Sequence, residues 1–329
     1  MFGREAERFP GTSAVAWGGR SEGAGASGRS WPRAGRFSLD DDLAYAEWRD
    51  RTLARHPTKA EDLVVEVRDL AAPTPGERAE ILRRIDAANM AFYATKADAG
   101  DDELSRRNLI AFGTAFGMVA IEDHRSAGAD GIVRIEVVDG GGRLGYIPYT
   151  DKPINWHTDG YYNFHGPDRA IAAMLLHCQR PAQSGGINRL LDPEIAYLRL
   201  RDEDPSLVAA LMRADAMTIP AGEEAGGRSR PDNVGPVFFV HPRSGALGMR
   251  FTARKRNVVW RDDPVTHRAV RSLLGVLRDD PLILETRLAS GQGVICNNVL
   301  HDRSVFSGGN RLLYRVRYTD RVGAPGALS

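Results

Sequence analysis

From about residue 130 onward the chain breaks into short apolar runs: GIVRIEVV, GYIPY, AIAAMLLHC, GPVFFV, ALGMRF, PLILETRL, GVICNN and RLLYRVRY. Gly, Pro, Asp or Asn punctuate the series. Many short strands separated by turn signals predict a sandwich or barrel. Two helix-like inserts interrupt them. One is DPEIAYLRLRDEDPSLVAALMRA, with Asp192 as cap and Pro193 behind it, and the other is DPVTHRAVRSLLGVLRDD.

Ahead of the strands the texture differs. LDDDLAYAEWRDRTLARH suggests a short helix and DLVVEVRDL a strand. TPGERAEILRRIDAANMAFYAT reads as a helix, with Thr74 as N-cap, Pro75 at the first helical position and Ile81, Ile85 and Met90 at helical spacing. ELSRRNLIAFGTAFG predicts another. Residues 1–37 are rich in Gly, Ser, Ala and Arg without periodicity, which predicts a flexible tail ahead of a single domain over 38–329.

The hydrophobic share of 42 % is that of a soluble globular protein, and the 44 Lys and Arg residues nearly cancel the 43 Asp and Glu. No positive field marks a binder of nucleic acid or of a membrane surface, so a small-molecule partner is expected. Two cysteines, Cys178 and Cys296, exclude a zinc module built from thiolates and read as small buried hydrophobes. With no apolar leader and no long apolar run, the expected location is cytoplasmic.

The chemistry concentrates in NWHTDGYYN, residues 155–163. His157 and Asp159 stand two apart, so they share a face within a strand and can converge at a strand end. A hydrogen-bonded structural pair is one reading. The other is two members of a two-histidine, one-carboxylate facial triad, whose third ligand must come from a distant strand; His301, after GVICNNVL, is the best candidate. Such a triad leaves one side of an iron ion open for a bidentate cosubstrate plus oxygen. A guanidinium suits the cosubstrate's far carboxylate. In RLLYRVRY the alternation of an extended strand puts Arg311, Leu313, Arg315 and Arg317 on one face and Leu312, Tyr314, Val316 and Tyr318 on the other. Arg311 and Arg315 would stand about 13 Å apart at roughly 3.3 Å per residue, too far to grip one carboxylate together.

HTD at 157–159, His301 and Arg311 ten residues beyond it resemble the iron(II)- and 2-oxoglutarate-dependent dioxygenases of the taurine dioxygenase and clavaminate synthase-like superfamily. LLHC, SGGINRLLD, VHPRSGALGMRF and HDRSVFSGGNRLLYRVRYTD fall between and after these anchors in the expected order, so the resemblance covers about residues 60–320. Within the superfamily the motifs are most similar to the gamma-butyrobetaine and trimethyllysine hydroxylase branch, although the cysteine-built N-terminal zinc module of that branch is missing. The resemblance implies a mainly β protein with flanking helices around a double-stranded β-helix (jelly-roll) core. It further implies Fe(II) held by His157, Asp159 and His301, with 2-oxoglutarate and O2 as cosubstrates. Arg311 would hold the cosubstrate, with Asn188 and Arg315 as further candidates; Asn188 stands where many relatives carry Thr or Ser. The implied reaction is hydroxylation of a small molecule, an amine or a carboxylate, with release of succinate and CO2.

Other readings remain at this level. Trp156, Tyr161 and Tyr162 are either a substrate wall or core aromatics. Arg315 serves cosubstrate, substrate or an ion pair with an acid such as Asp320. His177 and His241 read as structural, and His165 lies in a loop near the site. A zinc-dependent hydrolase could use the same His/Asp/His set, and a catalytically silent jelly-roll binding protein could retain it. A homo-oligomer is compatible with the sequence, which does not fix the state.

Overall fold

Asp41 accepts a hydrogen bond from the Ala44 N–H and so starts helix α1 (Asp42–Arg55). It is the first long element in a computed structural model that describes Pro32 and residues 35–96, 102–123, 126–138, 146–223, 229–254 and 256–323. Most of the expected tail lies outside the described residues. Its last residue is no tail: Phe37 is 3 % exposed and packs edge-on against Trp48 and Tyr197, so the packed domain begins ahead of residue 38.

Helix α2 (Pro75–Ala88) begins as expected, with the Thr74 side chain accepting from the Glu77 N–H and the Glu77 carboxylate accepting from the Thr74 N–H. It ends earlier than the pattern suggested. Asn89 takes φ 54°, a left-handed conformation that asparagine tolerates, and Met90–Ala94 continues as a strand whose Phe92 and Tyr93 suit a sheet. Helix α3 (Asp102–Ala115) follows. The first helical insert is two helices, α4 (Pro193–Glu203) and α5 (Pro205–Leu211), because Pro205 lacks the N–H that would continue α4 and Asp204 caps a new start. Helix α6 (Pro264–Asp279) is capped by Asp263. The described part of GYIPY, expected as a strand, holds a single 3-10 turn at Ile147–Tyr149.

The strands of the two larger sheets are, in chain order, β1 (Val64–Glu66), β2 (Met90–Ala94), β3 (Val133–Ile135), β4 (Ile154–His157), β5 (Ala173–Arg180), β6 (Asn188–Leu191), β7 (Leu284–Thr286), β8 (Gln292–Cys296), β9 (Leu300–Arg303) and β10 (Leu312–Tyr318). One sheet runs β1-β2-β8-β5-β10-β3, antiparallel except for β1 beside β2; the other runs β7-β6-β9-β4, antiparallel throughout. Met174, Cys178, Val294 and Leu313 of the first sheet share one apolar cluster with Leu190 and Leu284 of the second, so the sheets pack face to face. This is the jelly-roll core expected from the sequence. Helices α2 and α3 cover the outer face of the six-stranded sheet through Ile81, Ile85, Leu109 and Phe112. Helices α4, α5 and α6 cover the other sheet through Ile195, Leu207 and Leu273, among others.

The alternation expected in β10 is realised. Leu312, Tyr314, Val316 and Tyr318 enter the helix-covered cluster, whereas Leu313 enters the cluster between the sheets. That parity turns Arg311, Arg315 and Arg317 inward, and all three are less than a tenth exposed. Three guanidiniums inside a jelly roll need anions, and their partners locate the site.

Candidate active site

The register of β9 against β4 sets His301 directly opposite His157, and their ring centroids lie 4.2 Å apart. In each ring Nδ1 is 2.9–3.0 Å from a backbone carbonyl two residues earlier, Asn155 for His157 and Val299 for His301. A carbonyl can only accept, so each Nδ1 donates to it, which leaves Nε2 as the nitrogen able to ligate a metal. Burial, with His301 adding to it, pushes the His157 pKa down to about 3, which keeps that ring neutral.

Asp159 lies just beyond the end of β4, in a turn whose next residue, Gly160, has φ 73°. A Cβ on Gly160 would meet Ile171 Cγ1 at 2.5 Å, so both the backbone angle and the close approach call for glycine. The Asp159 carboxylate is 5 % exposed at the residue level. Its Oδ1 accepts from Arg315 Nη1 at 3.0 Å and from Arg317 Nη1 at 3.3 Å, while its buried Oδ2 has no hydrogen-bond partner among the described residues. Burial pushes its pKa up, but Arg315 and Arg317 outweigh burial and hold the group ionised, well below the ordinary carboxylate value. Arg317 also pairs with Glu122 and donates to the Tyr162 hydroxyl.

Arg311 stands apart from that network. It is 7 % exposed and makes no hydrogen bond or ion pair among the described residues. Its guanidinium lies 4.7 Å from the Phe306 ring centroid, and burial brings its pKa down to about 10. It lines a small cleft with Cys178, Gly186, Asn188, Arg287 and Leu313. Asn188 therefore sits beside Arg311, on the strand next to His301.

The structure thus gathers His157, Asp159, His301 and Arg315 in one place and Arg311 with Asn188 in another between the same sheets. Arg315 binds Asp159; Asp320, the acid suggested from sequence, instead accepts from the Val119 and Ala120 N–H groups. Tyr161 meets the His157 ring edge-on at 6.2 Å and Tyr162 meets Tyr161 at 5.3 Å. Strand alternation turns Trp156 away from His157, with Arg189 over its ring at 5.1 Å, while Trp156 and Tyr161 belong to one apolar cluster against which Tyr162 packs. Burial raises both thiols, Cys178 to about 11 and Cys296 to about 12, as befits small apolar residues.

Sequence reasoning missed four residues. Arg317 shares the Asp159 carboxylate, and Glu122 arrives from the segment after α3 to pair with Arg317. Asn298 bonds the Asp159 backbone. Arg250, 2 % exposed, donates to the carbonyls of Tyr161, Met217 and Asn233 and braces the turn that follows Asp159. Only Arg317 had a signal in the sequence, its parity with Arg311 and Arg315.

As they stand, no three His, Cys, Asp or Glu side chains among the described residues are grouped to hold a metal ion. The donor set still fits iron(II): two imidazoles whose Nδ1 atoms are engaged by carbonyls, leaving Nε2 to ligate, one ionised carboxylate, and a buried Oδ2 without a hydrogen-bond partner among the described residues.

Two packed sheets with a histidine, carboxylate and arginine cluster between them define a jelly-roll protein with a candidate metal site. The chain belongs to the TauD/TfdA dioxygenase family, since the family model described as "Taurine catabolism dioxygenase TauD, TfdA family" matches residues 100–317. The match reaches the family but not the gamma-butyrobetaine branch within it. Among solved structures, an asparagine oxygenase in complex with Fe(II), 2S,3S-3-hydroxyasparagine and succinate is similar at 14 % identity, over 75 % of this chain and 78 % of that one, with a TM-score of 0.51. AAD-2 in complex with Mn(II) and N-oxalylglycine is similar at 16 % identity, over 79 % and 96 %, with a TM-score of 0.54. PvcB from Pseudomonas aeruginosa is similar at 17 % identity, over 78 % and 84 %, with a TM-score of 0.52.

Proposed function

We propose that this dioxygenase-family chain uses iron(II) and 2-oxoglutarate to hydroxylate a small molecule, converting R–H, O2 and 2-oxoglutarate into R–OH, succinate and CO2. The observation that carries the reading is the pair of opposed imidazoles, each held through Nδ1 with Nε2 left to ligate, beside a carboxylate whose buried Oδ2 has no hydrogen-bond partner among the described residues. The metal and the diacids in the complexes of asparagine oxygenase and AAD-2 support the choice of iron and 2-oxoglutarate.

In this reading His157 and His301 serve as the imidazole ligands and Asp159 as the anionic one. Bound iron(II) supplies the centre at which the keto acid and oxygen react. Arg311 takes the distal carboxylate of 2-oxoglutarate, which gives a buried charge unpaired among the described residues an anion, and the Asn188 amide donates beside it. Arg315 and Arg317 keep Asp159 ionised. Tyr161 and Tyr162 wall the space next to His157, where a small substrate would lie. An amino acid is the favoured class, because the asparagine oxygenase complex holds a hydroxylated amino acid.

The test is an anaerobic titration of the metal-free protein with iron(II) and 2-oxoglutarate. A weak visible charge-transfer band that needs both components is expected. Iron binding without the band would remove the 2-oxoglutarate reading, and oxygen-independent hydrolysis with zinc would put a hydrolase in its place. Absence of any metal binding would leave a silent binding protein.

A further inference from the structure

The two histidines are locked by the β4–β9 register, but Asp159 lies past the end of β4 and no sheet ladder fixes it. Another group must do so. Asn298 accepts from the Asp159 N–H through Oδ1 at 2.8 Å and donates from Nδ2 to the Asp159 carbonyl at 3.1 Å, and also to the Ile171 carbonyl at 2.8 Å. The amide therefore pairs with both main-chain groups of Asp159, as a neighbouring strand would. Ile171 is the same residue whose side chain fills the space over Gly160. Asn298 is 6 % exposed and holds φ 48°, a conformation open to asparagine and costly for most residues. It occupies the turn between β8 and β9, three residues before His301.

We propose that Asn298 is a positioning residue for the metal centre: it splints the turn carrying Asp159 to the segment carrying His301, so that the three ligands present one set of distances to the ion. This inference rests on the iron site proposed above. Only a side-chain amide supplies the pattern, since one acceptor must face an N–H while the donor faces two carbonyls. Removing a residue that orients a ligand typically lowers metal affinity about 10- to 100-fold.

Asn297 on the same turn supplies the control. Its side chain donates to Asn89 Oδ1 and accepts from the Val322 N–H, and the structure gives it no bond to Asp159. The experiment compares wild type, Asn298→Gly and Asn297→Ala by anaerobic iron(II) titration, with thermal unfolding of each metal-free protein as the measure of structural damage. Glycine keeps the left-handed backbone accessible and deletes only the splint. Asn298→Gly should bind iron(II) at least about 10-fold more weakly, while Asn297→Ala, though less stable than wild type, should bind as wild type does. Unchanged affinity in Asn298→Gly, or an equal loss in Asn297→Ala, overturns the positioning role. Failure of the wild type itself to bind iron(II) overturns the site, and the inference with it. Should Asn298→Gly not fold, Asn298→Asp, which keeps the acceptor and loses the donor, is held to the same outcomes.

Discussion

Arg311 is a guanidinium between two sheets with no acid to meet it among the described residues, a costly placement in a folded protein unless a ligand completes it. Replacing it with methionine should therefore leave the ligand-free protein as stable as wild type or about 1–2 kcal/mol more stable. The same change should raise the 2-oxoglutarate concentration needed for half-saturation by about 100-fold or more, the loss of one charge-assisted bidentate contact. Thermal unfolding and the charge-transfer titration read the two halves separately. A variant that loses stability without ligand and binds 2-oxoglutarate normally would move the anchor elsewhere. Asp159 is the contrasting case, because its loss would take from Arg315 its only ion-pair partner among the described residues, whereas Arg317 would keep Glu122.

Strand β5 shows what one element does on its two faces. Cys178 faces the inner cluster and the cleft of Arg311, whereas His177 points outward, 5 % exposed, against Tyr93, whose hydroxyl lies 3.2 Å from His177 Nδ1. Burial lowers the His177 pKa from 6.5 to about 4. The unfolded chain thus takes up a proton near pH 6.5 that the folded chain refuses until about pH 4. Stability linked to His177 is complete above pH 6.5 and falls as pH drops from there towards 4, by up to about 3 kcal/mol. Urea unfolding of wild type and His177→Phe at pH 7 and pH 5 should show a smaller acid loss in the variant. Equal losses would mean that His177 titrates normally. The short α2 belongs at this scale too: apolar spacing carried the expected helix through Met90, but a left-handed Asn89 ended it, and β2 took the next residues because β8 offered a ladder for them.

At the scale of the molecule, the site is closed only when the two sheets are packed, so ligands of the site should stabilise the whole fold. With Mn(II) present, 2-oxoglutarate at 100 times its dissociation constant should add about 2.7 kcal/mol, with the melting temperature still rising at higher concentration, and a chelator should abolish the effect. A melting temperature indifferent to both ligands would separate the site from the fold.

How much was legible follows from the distance over which each feature is decided. The strand series, the Thr74 and Asp192 caps, the inward parity of Arg311, Arg315 and Arg317 and the order of His157, Asp159 and His301 are set by neighbouring residues and by strand periodicity, and they could be read directly. The sequence by itself therefore determined a jelly roll with a histidine, carboxylate and arginine set between its sheets. Only the tertiary structure decided that Phe37 is core, that Trp156 faces away from the site, that Asp159 rather than Asp320 takes Arg315, and that Asn298 pairs with the Asp159 backbone. The reason is physical: a buried charge or amide is satisfied by whatever the packed sheets bring within hydrogen-bond reach, and for Asp159 those partners lie 139 to 158 residues away along the chain.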